Sequence, residues 1–309
     1  MILFRDKRPK SASILLTTRC NGRCGICKIW MLAPNEIEFK EALKTIIDLK
    51  SFGVDTINLL GGEPLLYERL FDLADFIKSQ NIRCTLITNG LLISPDNIKD
   101  IKKSFDYVSV SIDGSSEEVY GKIRNGASFD KALGGLILIR QSAIPCDMRY
   151  TIQNKNSDDI NNAVNLAESL GINILLGFVE NRGVGNARDE ICKKVDAKKL
   201  IEQISRIKSP FLLTHKRTFE VIANRLSGKP TRFKCNSPYN YIFIFTTQDV
   251  YPCSVIDEKM GNLRENRISD IYFSTKFRQI RKSITKGNSE ICKNCVHGCE
   301  INASIMGWR

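Results

Sequence analysis

The chain has 309 residues, with 46 Lys and Arg against 34 Asp and Glu, a formal charge of +12, 42% hydrophobic residues and eleven cysteines. No run of about eighteen apolar residues occurs and the N-terminus lacks the apolar stretch of a signal peptide, so a membrane-spanning helix is excluded and a cytoplasmic globular protein is expected, its cysteines serving as metal ligands and buried thiols rather than disulfides. The positive charge would suit a nucleic acid, an acidic peptide or a phosphorylated substrate and selects none of them, because Lys and Arg are spread along the chain; the densest group, Lys276, Arg278, Arg281, Lys282 and Lys286, reads as a solvated helix face.

The first strand-like run, Ser13-Ile-Leu-Leu-Thr-Thr18, leads into Cys20-Asn-Gly-Arg-Cys24-Gly-Ile-Cys27. Soft thiolates select zinc, cuprous copper or an iron–sulfur cluster, and a set of three leaves one iron of a cubane without a protein ligand, a vacancy where chemistry can occur. Spacing alone leaves open a zinc knuckle completed from elsewhere, or unrelated core thiols. A helix follows, with Asn35 and Glu38 in capping-box positions, an apolar stripe of Ile37, Leu43, Ile46, Ile47 and Leu49, and Gly53 at its end. The next strand, Thr56-Ile-Asn-Leu-Leu60, runs into Gly61-Gly62-Glu63-Pro64.

Strands are predicted near 82–88, 106–112, 146–152 and 173–179, separated by helices near 66–80, 95–103, 129–141 and 157–170, which makes six βα units in all. Strand alternation sets Ser109, Ser111 and Asp113 on one face against Val108, Val110 and Ile112, and Arg149, Thr151 and Gln153 against Met148, Tyr150 and Ile152. The apolar faces should meet the helices, so the polar faces should look inward, where a charged Arg149 needs an anionic partner. Cys84 and Cys146 share the apolar faces and are expected to be core thiols. Thr88-Asn89-Gly90 ends one strand, and a glycine-containing loop, Arg182 to Arg188, follows another. After a helix near 196–208 the alternation stops. Cys235 then precedes a hairpin of Tyr241–Phe245 and Val250–Cys253, a helix near 268–284 and Cys292-Lys-Asn-Cys295-Val-His-Gly-Cys299.

CxxxCxxC after a first strand and GGEP after a second resemble the radical S-adenosylmethionine (radical SAM) superfamily, and the late cysteines resemble its SPASM/twitch subgroup. The resemblance implies an α/β fold, a partial (β/α)6 TIM-like barrel over 11–210, with a small C-terminal cysteine-rich twitch/SPASM-like module over 211–309. It implies a 4Fe-4S cluster on Cys20, Cys24 and Cys27 that chelates SAM and cleaves it to a 5′-deoxyadenosyl radical. Gly61, Gly62, Glu63, Pro64, Asn89, Ser111, Asp113 and Arg149 would be the cofactor-binding residues, Ser111 holding the ribose and Arg149 the carboxylate.

The late cysteines are fewer than in a full SPASM pattern, which implies one auxiliary 4Fe-4S cluster, on Cys235, Cys253, Cys292 and Cys295, with Cys299 the rival of Cys292. By spacing alone a zinc ribbon would serve equally. The implied activity is hydrogen abstraction from a substrate C–H bond, with a peptide modified by epimerisation, cross-linking or oxidation. The alternative is dehydrogenation or epimerisation of an amino sugar or cyclitol; a zinc-binding, nucleic-acid-binding protein is the distant one. With the first strand beginning near residue 12, no leader-binding domain is expected. Cys192 and Cys299 are the candidate hydrogen donors. The expected partners are the peptide or small-molecule substrate and a reducing protein such as flavodoxin or ferredoxin, with neither membrane nor nucleic acid.

Overall fold

The computed structural model describes residues 7–180, 183, 195–231 and 233–306. Six parallel strands alternate with helices: β1 (Ser11–Leu15), α1 (Phe39–Phe52), β2 (Thr56–Leu60), α2 (Leu70–Ser79), β3 (Arg83–Thr88), α3 (Ile98–Ser104), β4 (Tyr107–Ser111), α4 (Glu117–Gly121), α5 (Phe129–Gln141), β5 (Cys146–Ile152), α6 (Ile160–Ser169) and β6 (Asn173–Phe178). Then come α7 (Ala197–Arg206), α8 (Lys216–Leu226), α9 (Ser237–Asn240), β7 (Tyr241–Ile244), β8 (Asp249–Tyr251), β9 (Gly261–Asn262), α10 (Ile268–Tyr272), α11 (Thr275–Lys286), α12 (Glu290–Lys293) and α13 (Gly298–Met306). The strands form one open sheet in the order β6-β5-β4-β3-β2-β1-β7-β8-β9, parallel except for β8 and β9, which run as an antiparallel meander from β7.

The helix-facing side is built as the alternation predicts. Val108, Val110, Met148, Tyr150, Cys84 and Cys146 are buried in one core with the apolar stripes of the helices. Each large aliphatic side chain so buried contributes about 1.5–3 kcal/mol. In α1 the inward residues are Ala42, Thr45, Ile46, Leu49 and Phe52, and Gly53 ends the helix at φ 100°, a left-handed conformation natural to glycine.

The expected cap at Asn35 is not observed. α1 starts at Phe39 behind Glu38, which makes no side-chain cap. Asn35 instead ties the stretch before the helix to the end of β1 and to the β7–β8 turn, its amide N–H donating to Thr18 Oγ1 (2.8 Å) and its Nδ2 to Thr246 Oγ1 (3.1 Å). The helix expected over 268–284 is two helices, α10 and α11, because Ser274 leaves the helical path and caps the second by accepting from Phe277 N. Arg281, expected on a solvated face, is buried over the Tyr272 ring at 3.8 Å and donates to the Tyr272 carbonyl at 2.8 Å.

The C-terminal module is not a separate body on a linker. β7 lies beside β1, with Ser11 opposite Tyr241 and Ile14 opposite Ile244. A single face of α1, three and four residues per step, holds the module's far side. There Glu41 accepts both Arg264 N–H groups (2.6 and 2.9 Å), Thr45 donates to Gln248 Oε1 (2.8 Å) and Asp48 accepts from Ile268 N (2.6 Å). At the opposite edge of the sheet, α13 packs on β6. A methyl group at Gly298 would stand 2.9 Å from Phe178 N, so only glycine permits that approach.

Candidate active site and a second thiol cavity

The loop after β1 carries three half-buried thiols, and each sulfur faces a donor. Cys20 Sγ accepts from Gly22 N (3.3 Å), Cys27 Sγ from Ile29 N (3.4 Å), and Arg124 Nη1 lies 3.8 Å from Cys24 Sγ. Burial pushes the Cys27 thiol up to about 11 and raises that of Cys20. As thiolates they therefore need a cation, which cluster iron supplies. Among the described residues no three His, Cys, Asp or Glu side chains converge on a single metal ion. The loop is docked by its backbone: Arg23 N donates to Asn125 O (3.2 Å) and Gly25 N to Ile123 O (3.0 Å).

The GGEP turn after β2 lies against the start of that loop, and the reason for two glycines is contact. A methyl group at Gly61 would stand 2.8 Å from Thr17 O, and one at Gly62 2.3 Å from Arg19 O. Gly62 N and Glu63 N donate to those same carbonyls at 2.6 and 2.8 Å. Glu63 is fully buried. Its oxygens accept from Thr88 Oγ1 (2.7 Å), Leu65 N (3.1 Å) and Asn89 N (2.8 Å), joining the ends of β2 and β3. Burial raises the pKa of this carboxyl and the three hydrogen bonds oppose the rise. Asn89 in turn donates through Nδ2 to Asn21 Oδ1 at 2.7 Å, inside the cysteine loop. The carboxylate thus reaches the site through Asn89, its own three hydrogen bonds running to protein groups.

Asp113 is likewise committed. Its Oδ2 takes two N–H bonds from Arg124 (2.8 and 2.7 Å) and its Oδ1 accepts from Thr151 N (2.7 Å), so it holds Arg124 against Cys24 and pins β4 to β5. Arg124 is the charged side chain beside the cysteine loop that sequence reasoning missed. The signal was indirect: an inward carboxylate at a strand end needs a cation, and Arg124 follows eleven residues later. Ser111 and Arg149 are opposite one another in the β4–β5 register, as expected for neighbours on the inner face.

Arg149 donates through Nε to Ser109 Oγ (3.2 Å), and its Nη1 lies 4.0 Å from Cys299 Sγ. Burial disfavours its charge, but Cys299, Asp147, Tyr107 and Tyr241 around it together raise its affinity for the proton. Cys299 also stands by Gly177 of β6, whose added methyl would meet Cys299 Sγ at 3.8 Å.

Cys235, Cys253, Cys292 and Cys295 line one cavity with Val255, Ile256, Ile284 and Ile301; Cys299 is not among its lining residues. The four thiols come from three separate segments: before α9, after β8 and around α12. Burial pushes the Cys235 thiol up to about 12 and raises those of Cys253 and Cys295 well above the usual range. A set of four thiols, Cys253 buried and the other three half-buried, that must lose protons to become ligands fits a second cluster. Cys192 and all of the 182–188 loop except Gly183 lie outside the described residues.

Residues 14–167 match the model of the radical SAM superfamily, and residues 235–296 match that of SPASM, an iron–sulfur cluster-binding domain. The chain belongs to the radical SAM superfamily. An AdoMet-dependent heme synthase of Methanosarcina barkeri is 25% identical over 96% of this chain and 92% of its own. By fold, the chain is similar to Streptococcus suis SuiB bound to the precursor peptide SuiA, with TM-score 0.71 and 18% identity over 96% of this chain and 73% of that one. It is also similar to anSMEcpe with bound AdoMet and a peptide, with TM-score 0.70 and 17% identity over 93% and 86%. As a radical SAM enzyme with a SPASM domain the chain uses SAM, a SAM-binding 4Fe-4S cluster and an auxiliary cluster, which sets iron–sulfur above zinc at the late cysteines. No helix among the described residues is long and apolar enough to cross a membrane.

Proposed function

We propose that the enzyme removes a hydrogen atom from a C–H bond of a substrate seated within the barrel and that Cys299 gives one back, so that the net change is epimerisation of a peptide residue. The observation that carries this reading is the position of Cys299, beside Arg149 and Gly177 on the β6 side of the sheet and absent from the wall of the four-thiol cavity. The three-cysteine loop follows β1, and β1 and β6 are the first and last strands of the six βα units, with four strands between them in the sheet. A substrate between them is approached from two sides, which inversion at carbon requires.

When bound, SAM at the reduced cluster supplies a 5′-deoxyadenosyl radical that carries off the substrate hydrogen. Cys20, Cys24 and Cys27 would hold that cluster, and Gly61, Gly62, Pro64, Asn89, Ser111 and Arg149 are the proposed SAM contacts. Glu63 and Asp113 act at one remove, through Asn89 and Arg124. For the return step the Cys299 S–H bond breaks as a substrate C–H bond forms. The sulfur radical left behind needs one electron and one proton for the next turnover, the electron coming from a one-electron carrier. Cys235, Cys253, Cys292 and Cys295 are the proposed ligands of the auxiliary cluster.

Turnover in deuterated water tests this: the product should carry one solvent deuterium, and Cys299→Ala should form 5′-deoxyadenosine but no inverted product. A product lacking two hydrogens, formed equally by Cys299→Ala, overturns it. The second reading is oxidation of a heme precursor, favoured by the heme synthase that matches the chain almost end to end. Amino sugars and cyclitols are assayed in the same way.

A further inference from the structure

The four-thiol cavity opens to the surface. A groove shares Arg225, Phe233, Cys235, Ile284 and Cys292 with the cavity wall and runs out past Lys229 and Lys293, where α8 and α11 end. Among the described residues three cations and no carboxylate line it. Lys229 and Lys293 are exposed, and so are Lys234 and Lys286 nearby in sequence. Arg225 is fixed in place: it donates to the Cys295 carbonyl and lies 5.3 Å over the Phe233 ring. Lys293 pairs with the exposed Glu290, and Glu300 lies in the wall of the thiol cavity behind the groove, so Lys229 is the groove lysine with no ion pair among the described residues. Cys235 and Cys292 are half-buried at the floor, so a redox group held there would be reachable from outside.

We propose that this groove docks an acidic one-electron carrier protein and brings its redox centre over Cys235 and Cys292. The proposal rests on the reading of the four late cysteines as cluster ligands. Electron transfer slows steeply with distance, and the groove is where the thiol cavity meets solvent. Redox encounters of this kind use small interfaces, for which complementary charge supplies orientation and encounter rate rather than deep burial. A chain of net charge +12 attracts an acidic partner from a distance, and the three cations of the groove give that attraction a place to end. In the step itself one electron passes from the reduced carrier to the cluster; the carrier is oxidised, the cluster is reduced and no atom moves.

The test uses the protein with both clusters and flavodoxin as the carrier. Stopped-flow absorption should show that Lys229→Glu with Lys293→Glu slows reduction by flavodoxin hydroquinone about tenfold or more, while reduction by dithionite and the iron content are unchanged. Calorimetric binding of flavodoxin should weaken with salt in the parent and lose most of that dependence in the double variant. Lys99→Glu, on α3, should alter neither. Equal flavodoxin binding and reduction rates in parent and double variant overturn the proposal. Iron analysis of Cys292→Ala separates the two failures: iron falls by one cluster if that thiol is a ligand, and stays whole if the ligand reading itself is wrong.

Discussion

The two thiol sites solve different problems with the same side chain. The first is local: Cys20, Cys24 and Cys27 sit on one loop, and the backbone around them fixes its path through Arg23, Gly25, Gly62 and Glu63. The second is assembled: its four thiols come from three segments and meet only when β7, β8 and α12 are in place. A local site can lose its metal and keep its fold, whereas in an assembled site ligand binding is part of the folding free energy. On the proposed ligand sets, one site would leave an iron open for exchange and the other would also fasten the module that carries it.

Single cysteine substitutions break the comparison most sharply. Cys24→Ala should reduce 5′-deoxyadenosine formation to background while the auxiliary iron and the thermal transition stay close to the parent. Cys253→Ala should do the reverse, losing one cluster and lowering the transition temperature while the SAM cluster remains visible by electron paramagnetic resonance. Equal stability losses in both variants would erase the distinction between local and assembled sites.

Arg124→Ala comes next in size. It leaves Asp113, fully buried, without its cation. Breaking a buried pair by removing one partner costs about 3–5 kcal/mol. Chemical denaturation of the cluster-loaded protein should show that loss together with weaker SAM binding; loss of SAM affinity alone would mean that Asp113 finds another partner.

Gly62→Ala should follow, because its methyl would meet the Arg19 carbonyl oxygen at 2.3 Å. Backbone cannot yield there without disturbing the cysteine loop, so SAM cleavage should fall more than global stability. An active Gly62→Ala enzyme would show that the close approach is not needed.

The local site is legible in the sequence for the same reason that it is local. Ligand spacing, the glycine pair and the strand before each occupy short stretches, and alternation correctly sends Val108, Met148, Cys84 and Cys146 to the helices. What cannot be read depends on distant pairing. Nothing near Tyr241 announces that β7 will lie parallel to β1, 230 residues away in the register Ser11 to Tyr241. Asn35 has the chemistry of a cap, yet Thr18 and Thr246 claim it. Asp113 reads as a ligand of the cofactor because its partner, Arg124, lies in the loop between α4 and α5 where no periodicity marks it. Cys299 follows a CxxC by four residues and still leaves that group's cavity, since the tight contact of Gly298 with β6 turns α13 toward Arg149.

The smallest expected effect tests whether the module is also held from outside the thiol cavity. Arg264 grips Glu41 with two N–H bonds, and its hydrogen bond lowers the proton affinity of that carboxyl. The Arg264 side chain is 51% exposed and that of Glu41 23%, so solvent screens the pair. Its contribution should be about 0.5–1 kcal/mol, at the upper end for surface pairs because the geometry is bidentate. A carboxyl whose folded pKa is depressed stabilises above its unfolded pKa, and that stability is lost as pH falls through the folded value. The stability difference between the parent and Glu41→Gln should therefore be full at neutral pH and vanish below the ordinary carboxylate range, where both side chains are neutral. Denaturant midpoints measured from neutral pH down to pH of about 3 check this. A difference that persists at the acid end would assign the effect to packing of α1 against the module rather than to charge.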